Sequence, residues 1–162
     1  INKKGELDVP GEILKELDLT AAGYHLLIIP PDFTSFKNII YNNIFLYRFC
    51  SRSRKRIRKW NTEALINAVK RNNIDFITHP GYGVDIDTRA LAEVCSQENT
   101  FLEINSRHID LKDNFIQKAL ETDVNFIINS DAHKPEHVGN LENGLKIIDK
   151  FDIDRNRVFN LQ

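Results

Sequence analysis

Short apolar runs alternate along the chain with longer segments whose apolar residues recur at helical spacing. The short runs predict strands at 17–22, 75–78, 101–104 and 125–128, with a possible last strand at 158–160. The run Asn-Phe-Ile-Ile gives the clearest signal of a buried strand. Strands that alternate with helices in this way are typical of an α/β fold with a parallel sheet.

Helices are predicted between these strands. Apolar residues around 62–72 recur at helical spacing and predict an amphipathic helix there. Asp87 or Thr88 can cap the next helix and Asp113 the following one, because their side-chain oxygens can accept hydrogen bonds from free N–H groups. Further helices are predicted around 36–47 and through Leu145, Ile147 and Ile148.

The series of β/α units predicts a parallel sheet or part of a barrel. A complete eight-stranded barrel needs about 200 residues or more. This chain of 162 residues is too short for one, so a small open sheet and a piece of a larger barrel both remain. No repeat, linker or low-complexity tract divides the sequence, and residues 1–162 are therefore predicted to form a single domain.

The composition agrees with a globular domain and excludes some functions. The chain has 22 Lys and Arg against 23 Asp and Glu, a net charge of -1, and 41% hydrophobic residues. That balance argues against disorder and against a surface that binds nucleic acid throughout. No run approaches the ~20 apolar residues of a membrane span, so no membrane partner is expected. Cys50 and Cys95 are far apart and belong to no CxxC pair, which predicts two reduced core thiols in a cytoplasmic protein.

Histidine and aspartate follow three of the predicted strands at their carboxyl ends. His25 follows the first strand, His79 the second, and Asp131 and His133 the strand at 125–128. Functional sites of α/β sheets and barrels assemble at that edge. Imidazole nitrogen and carboxylate oxygen together suit zinc, manganese or iron, and a mixed set with open positions suits hydrolysis. The four residues therefore predict a metal site.

Each of these residues alone has an ordinary explanation, and only their joint placement favours a metal site. A single His after a strand is most often a loop or core residue, and an Asp at a strand end commonly caps the next helix. His108, in the loop at 106–110, is interpreted as a solvated residue, although it could face the site. His137 is assigned to the start of the last helix and is not expected to be a ligand.

Three segments resemble successive motifs of the PHP (polymerase and histidinol phosphatase) superfamily, and most closely its stand-alone YcdX-like phosphoesterases. The motifs are ITHPG at 77–81, LEIN at 102–105 and NSDAH at 129–133, in the order and spacing of the family. The resemblance runs from about residue 1 to the end of the chain. It includes GELD at 5–8, AGYH at 22–25 and DRNRVFN at 154–160.

The resemblance implies a distorted seven-stranded (β/α)7 barrel, similar to a TIM barrel, with a trinuclear metal centre at the carboxyl ends of the strands. His25 and His79 would serve one metal, Asp131 a second and His133 a third, with up to three zinc, manganese or iron ions per complete domain. A bridging glutamate just before Ile1, an H-x-H motif and further histidines are implied upstream. The chain, which has no Met, is thus expected to be the C-terminal two-thirds of a PHP domain and to hydrolyse phosphoesters poorly by itself.

The implied activity is metal-dependent hydrolysis of a small phosphorylated substrate, as in a phosphoric monoester hydrolase. Clustered metals would activate water and neutralise charge on the phosphoryl oxygens. Glu103 and Asn105 could orient a ligand imidazole, with a structurally paired carboxylate as the ordinary alternative for Glu103. Arg107 could contact the substrate phosphate, but a solvated loop arginine is its preferred interpretation. The segment after Asn105 departs from the pattern of the family, which leaves the substrate-contacting loop open.

A dense basic segment occupies 48–59 and is followed by Trp60. The ordinary interpretation is a solvated helix face. It could instead steer an anionic substrate into the site, or bind a nucleic-acid backbone beside a stacking aromatic ring. The alternative functions are therefore a nucleic-acid-associated PHP module or a non-catalytic remnant that uses this segment, with nucleic acid the less expected partner. The substrate, the metal and the oligomeric state stay open.

Overall fold

In the part of the chain that the structure describes, four short parallel strands form one sheet whose order follows the chain. They are β1 (Ala21–Ala22), β2 (Phe76–Ile77), β3 (Phe101–Asn105) and β4 (Phe126–Asn129). Each strand pairs in parallel with the next one, and the predicted α/β class is thereby confirmed.

The structure is a computed structural model that describes residues 1–2, 4–25, 37–108 and 113–162. The helix predicted around 36–47 is therefore seen only from Lys37 onward, and Phe36 lies outside the described residues. The loop predicted at 106–110 is described as far as His108.

Helices fill the connections between the strands in the described part of the chain. The longest, α4 (Ser51–Arg71), leads into β2, and α5 (Thr88–Gln97) and α6 (Asp113–Leu120) lead into β3 and β4. α7 (Glu142–Lys150) follows β4. Shorter helical segments are α1 (Gly11–Leu14), the π-helix α2 (Lys37–Leu46), α3 (Tyr47–Phe49) and 3-10 turns at Pro135–His137, Arg155–Arg157 and Phe159–Leu161.

The hydrophobic core lies where the helices cover the two longer strands. Leu102 and Ile104 of β3 and Phe126 and Ile128 of β4 are all fully buried. Strands that are apolar and buried along their length are typical of parallel sheets with helices on their faces. α4 contributes the apolar residues Ile57, Ala64, Leu65, Ala68 and Val69 to the buried interior.

The first predicted strand is shorter than its apolar pattern indicated. Only Ala21–Ala22 pairs with β2, whereas Leu17 and Leu19 are exposed and precede the strand. The prediction of a strand at 17–22 was wrong for residues 17–20. Alternating side chains form a strand only where a neighbouring strand accepts their backbone hydrogen bonds.

The predicted amphipathic helix around 62–72 begins much earlier, at Ser51. Arg and Lys are good helix formers, so the basic residues continue the helix without an apolar stripe of their own. At the other end of the chain, the possible strand at 158–160 is reduced to one bridge between Val158 and Phe126, followed by a 3-10 turn.

The predicted cap of α5 is confirmed. Asp87 is its N-cap, and the Asp87 side chain accepts a hydrogen bond from the N–H of Ala90 at 3.4 Å. Asp113 is the first helical residue of α6 rather than a cap. Among the described residues, no helix is both long and apolar enough to span a lipid bilayer.

Candidate functional site

Two histidines from neighbouring strands meet at the carboxyl edge of the sheet. His25 lies three residues after β1, and His79 lies two residues after β2. Their Nε2 atoms are 3.0 Å apart, and their rings meet edge to face with centroids separated by 4.7 Å. The strand-end prediction placed these two residues near each other, and the structure brings them into contact.

The surroundings of His25 favour its neutral imidazole form. Partial desolvation lowers the pKa of His25, and the neighbouring His79 lowers it further, while Asp131 and Asp8 oppose the shift. A neutral ring keeps the nitrogen lone pair that a metal ligand needs. His79 itself is buried, and its Nε2 also lies 3.4 Å from the hydroxyl of Thr78.

A second pair of polar contacts forms around Asp131, two residues after β4. Nε2 of His108 lies 3.2 Å from Oδ2 of Asp131. Nδ1 of His133 lies 3.7 Å from Oδ1 of the same carboxylate and 2.9 Å from the backbone oxygen of Asp131. The carboxylate thus sits between two imidazole rings, and the His133 ring is the more exposed of the two.

Aromatic contacts connect the two halves of this cluster. The rings of Tyr82 and His108 are stacked, with centroids 3.9 Å apart. Both rings also approach His79, each with its centroid at 5.9 Å. The His25–His79 pair and the Asp131 carboxylate are therefore parts of one continuous cluster at the edge of the sheet.

The arrangement of the donor atoms matches part of a metal site. Zinc–nitrogen bonds of about 2.0–2.1 Å in tetrahedral geometry place two ligand nitrogens roughly 3.3 Å apart. The 3.0 Å separation in the His25–His79 pair is close to that value. Nowhere in the described ranges do three or more His, Cys, Asp or Glu side chains converge as a ready-made metal site. The structure thus shows a two-nitrogen pair and a separate Asp131 pair, rather than one complete ligand set.

A buried carboxylate lies directly beneath the cluster. Glu103 of β3 is 1% exposed and accepts hydrogen bonds from the backbone N–H of His79, from Nδ2 of Asn105 at 2.9 Å and from Nδ2 of Asn129 at 2.7 Å. Its hydrogen bond to His79 holds the backbone of that residue. Glu103 therefore connects the ends of β2, β3 and β4, where the candidate ligands are attached.

Asn105 shapes the loop that follows β3. Its Oδ1 accepts the backbone N–H groups of Arg107 and His108, both at 2.9 Å. This turn directs His108 toward Asp131, whereas the Arg107 side chain is exposed.

The contribution of two residues to the cluster was not predicted from the sequence. His108 was interpreted as a solvated loop residue, but its side chain is only 22% exposed and contacts Asp131. Tyr82 was not singled out, although it joins His79 to His108. The adjacent glycines Gly81 and Gly83, both at positive φ, are the sequence signal of a tight loop that returns toward the site.

The basic segment begins at Arg48 in α3 and continues through the first half of α4. Arg52, Lys55, Arg56 and Lys59 are exposed and lie at the spacing of one helix face. Lys59 pairs with Glu63 at 3.7 Å, and the guanidinium of Arg56 lies 4.9 Å from the ring centroid of Trp60.

Comparison with known proteins identifies relatives with a common description. The chain is 27% identical over 170 residues to a probable phosphatase of Shewanella sp. strain ANA-3, covering 98% of this chain and 57% of that protein. It is 28% identical over 168 residues to a probable phosphatase of Vibrio parahaemolyticus, covering 98% and 58%. A probable phosphatase of Tolumonas auensis is 30% identical over 165 residues, covering 96% and 57%.

The chain therefore resembles proteins described as probable phosphatases along nearly its whole length. It spans about 57% of the length of these relatives. No protein-family model matches the chain.

Proposed function

We propose that this chain belongs to a metal-dependent phosphoesterase of the PHP type, which hydrolyses a small phosphorylated substrate. The observation that carries the proposal is the 3.0 Å contact between Nε2 of His25 and Nε2 of His79 at the carboxyl edge of a parallel sheet. The phosphatase names of the relatives support the same reaction class. Zinc or manganese is the proposed cofactor, with iron as a further candidate.

The strand order supports a barrel portion. A doubly wound sheet reverses its strand order at a switch point, whereas the strands of a β/α barrel follow one another around the axis. The four strands here run in chain order. We therefore propose that they are consecutive strands of a distorted (β/α)7 barrel formed by one domain.

Each residue of the cluster has a proposed role in metal binding or in positioning a ligand. His25 and His79 would hold one divalent ion, while Asp131 and His133 would hold others. A bound ion supplies Lewis-acid stabilisation of phosphoryl charge and activates water. Glu103 fixes the backbone of His79, and the stacked rings of Tyr82 and His108 cover one side of the cluster.

The cellular location of the protein is also part of the proposal. Cys50 and Cys95 are both free thiols, but only Cys95 is buried, so the prediction of a core thiol was wrong for Cys50. Free thiols are compatible with the reducing cytoplasm, and we propose that location for the protein.

Metal content of the purified chain tests this function. Plasma mass spectrometry after zinc loading and dialysis should find zinc bound to the chain, and His79→Ala should lose most of it. His137→Ala is the matched control, because His137 is exposed in the turn at Pro135–His137 and should leave the metal content unchanged.

Two results would contradict the proposal. One is a chain that retains no metal at all. The other is an equal zinc content in the His79→Ala and His137→Ala variants, because the His25–His79 pair would then not be the metal site.

A further inference from the structure

A cavity of about 430 Å³ lies beside the candidate metal cluster. Its size falls within the range of small-molecule sites. It is lined by the loop after His79, by the starts of α5 and α6, and by Tyr47 and Arg58. Tyr82 is part of both the cavity and the candidate metal cluster, because it lines the cavity and stacks on His108. A molecule that reaches His79 can therefore extend past Tyr82 into this space.

The cavity wall carries two cations. Arg58 and Lys118 both line it and come from different helices, α4 and α6. Nη2 of Arg58 makes a long contact of 3.4 Å with Asp87, while Nε of Arg58 is buried with no hydrogen-bond partner in the described part of the chain. Within the same ranges, Lys118 forms no ion pair. A buried N–H that lacks an acceptor is costly, and an anionic ligand oxygen would remove that cost.

The remaining wall is suited to an organic group. Phe115 and Ile86 are buried apolar residues, and the ring of Tyr82 adds an aromatic surface. One carboxylate, Asp85, also lines the cavity, and it accepts a hydrogen bond from the hydroxyl of Tyr47 at 3.1 Å. The lining residues thus combine two cations, one engaged carboxylate and an apolar floor.

We infer that this cavity binds the alcohol part of the phosphoester and that Arg58 and Lys118 recognise a second anionic group on it. The substrate class is therefore a small phosphate monoester that carries a carboxylate or a second phosphate. The assignment of the occupant as substrate rests on the phosphoesterase function proposed above. The capacity of the cavity to bind an anion does not depend on that function, and it can be measured on the chain without metal.

The experiment is an amide NMR titration of the chelator-treated chain with two probes that differ by one carboxylate, glycerol 3-phosphate and 3-phosphoglycerate. The amide signals of Gly83, Thr88 and Asn114 report on the cavity. We expect 3-phosphoglycerate to bind about tenfold more tightly, as one added charge-assisted hydrogen bond allows. Arg58→Gln and Lys118→Gln should each bring the ratio of the two affinities close to one.

Arg52→Gln is the matched control, because Arg52 is an exposed arginine of the same helix that does not line the cavity. It should keep the ratio of the wild-type chain. Propane-1,3-diyl bisphosphate distinguishes the two sources of the anion, since tighter binding than that of 3-phosphoglycerate assigns the cavity to a second phosphate.

The inference is overturned if the probes leave the cavity signals unmoved, or if Arg58→Gln and Lys118→Gln both keep the ratio of the wild-type chain. Failure of the phosphoesterase function has a different signature, namely unchanged zinc content in His79→Ala. The two failures are therefore distinguishable.

Discussion

Replacing Glu103 by Ala should destabilise the protein strongly, although the Glu103 carboxyl group makes no ion pair with a cation in the described residues. Its carboxylate accepts three hydrogen bonds, and two of the donors, the N–H of His79 and Nδ2 of Asn105, are themselves buried. Each buried donor left without an acceptor costs about 1–3 kcal/mol. We therefore expect Glu103→Ala to lower the free energy of unfolding by about 4 kcal/mol, a large part of the ~5–15 kcal/mol typical of a domain.

Urea unfolding followed by circular dichroism measures this loss. Glu98→Ala, which removes an exposed carboxylate at the end of α5, is the control and should change the free energy of unfolding by less than about 0.5 kcal/mol. Glu103→Gln should cost about 1–2 kcal/mol, because its amide oxygen can still accept from His79 and Asn105 while the Asn129 amide turns to offer its own oxygen. A loss below about 1 kcal/mol in Glu103→Ala would refute the reasoning, because the donors would then have other acceptors.

Three further predictions concern packing, titration and the basic segment. Gly144→Ala should lower the free energy of unfolding by about 1–3 kcal/mol, since a Cβ there would lie 2.6 Å from Oγ of Ser106 and 2.7 Å from the Ile128 side chain; Gly11→Ala, with open space around it, is the control for urea unfolding. Burial raises the pKa of Cys95 from 9.0 to about 12, so the folded state keeps a proton that the unfolded state loses. The free energy of unfolding should therefore fall between pH 9 and 12 by up to ~1.4 kcal/mol per pH unit, and Cys95→Ala, but not Cys50→Ala, should reduce that slope. We expect the basic face of α4 to be only solvated, so a single-stranded RNA oligonucleotide should bind no more tightly than about 100 µM at 0.15 M salt in a fluorescence anisotropy assay. Tighter binding that the double substitution Arg52→Gln and Lys55→Gln abolishes would favour the nucleic-acid alternative.

The strands that were predicted best are those with the strongest local signal. β3 and β4 lie within one residue of the predicted runs at 101–104 and 125–128. Apart from the half-buried Phe101, their apolar residues are buried, so local pattern and tertiary environment agree. β1 was predicted too long, because its extent is set by its pairing with β2. α4 was predicted too short, because its basic first half is helical by propensity and has no apolar stripe that would reveal it.

The site was predictable to the extent that it follows from topology. Parallel strands deliver their carboxyl ends to one edge, and this rule is sufficient to bring His25 and His79 together. The position of His108 depends instead on one side-chain oxygen of Asn105 that accepts two backbone N–H groups. Such a turn leaves no periodic signal in the sequence, and its contribution was therefore missed.

The backbone at the strand ends supports a functional rather than a purely structural role for these residues. Four described residues other than glycine have positive φ, and two of them, Asn99 and Asp152, follow helices, where Asn and Asp commonly adopt this conformation. The other two are His79 at φ 28° and Asp131 at φ 47°. Glycine would adopt these angles without strain, whereas a non-glycine residue there costs of order 1–3 kcal/mol and persists only where its surroundings hold it. At His79 the holding group is the buried Glu103 carboxylate, which accepts the His79 N–H. A turn that served only to end a strand would need neither a strained backbone at a histidine nor a buried carboxylate that holds it. Both features are accounted for if the position of the His79 ring matters to the chemistry.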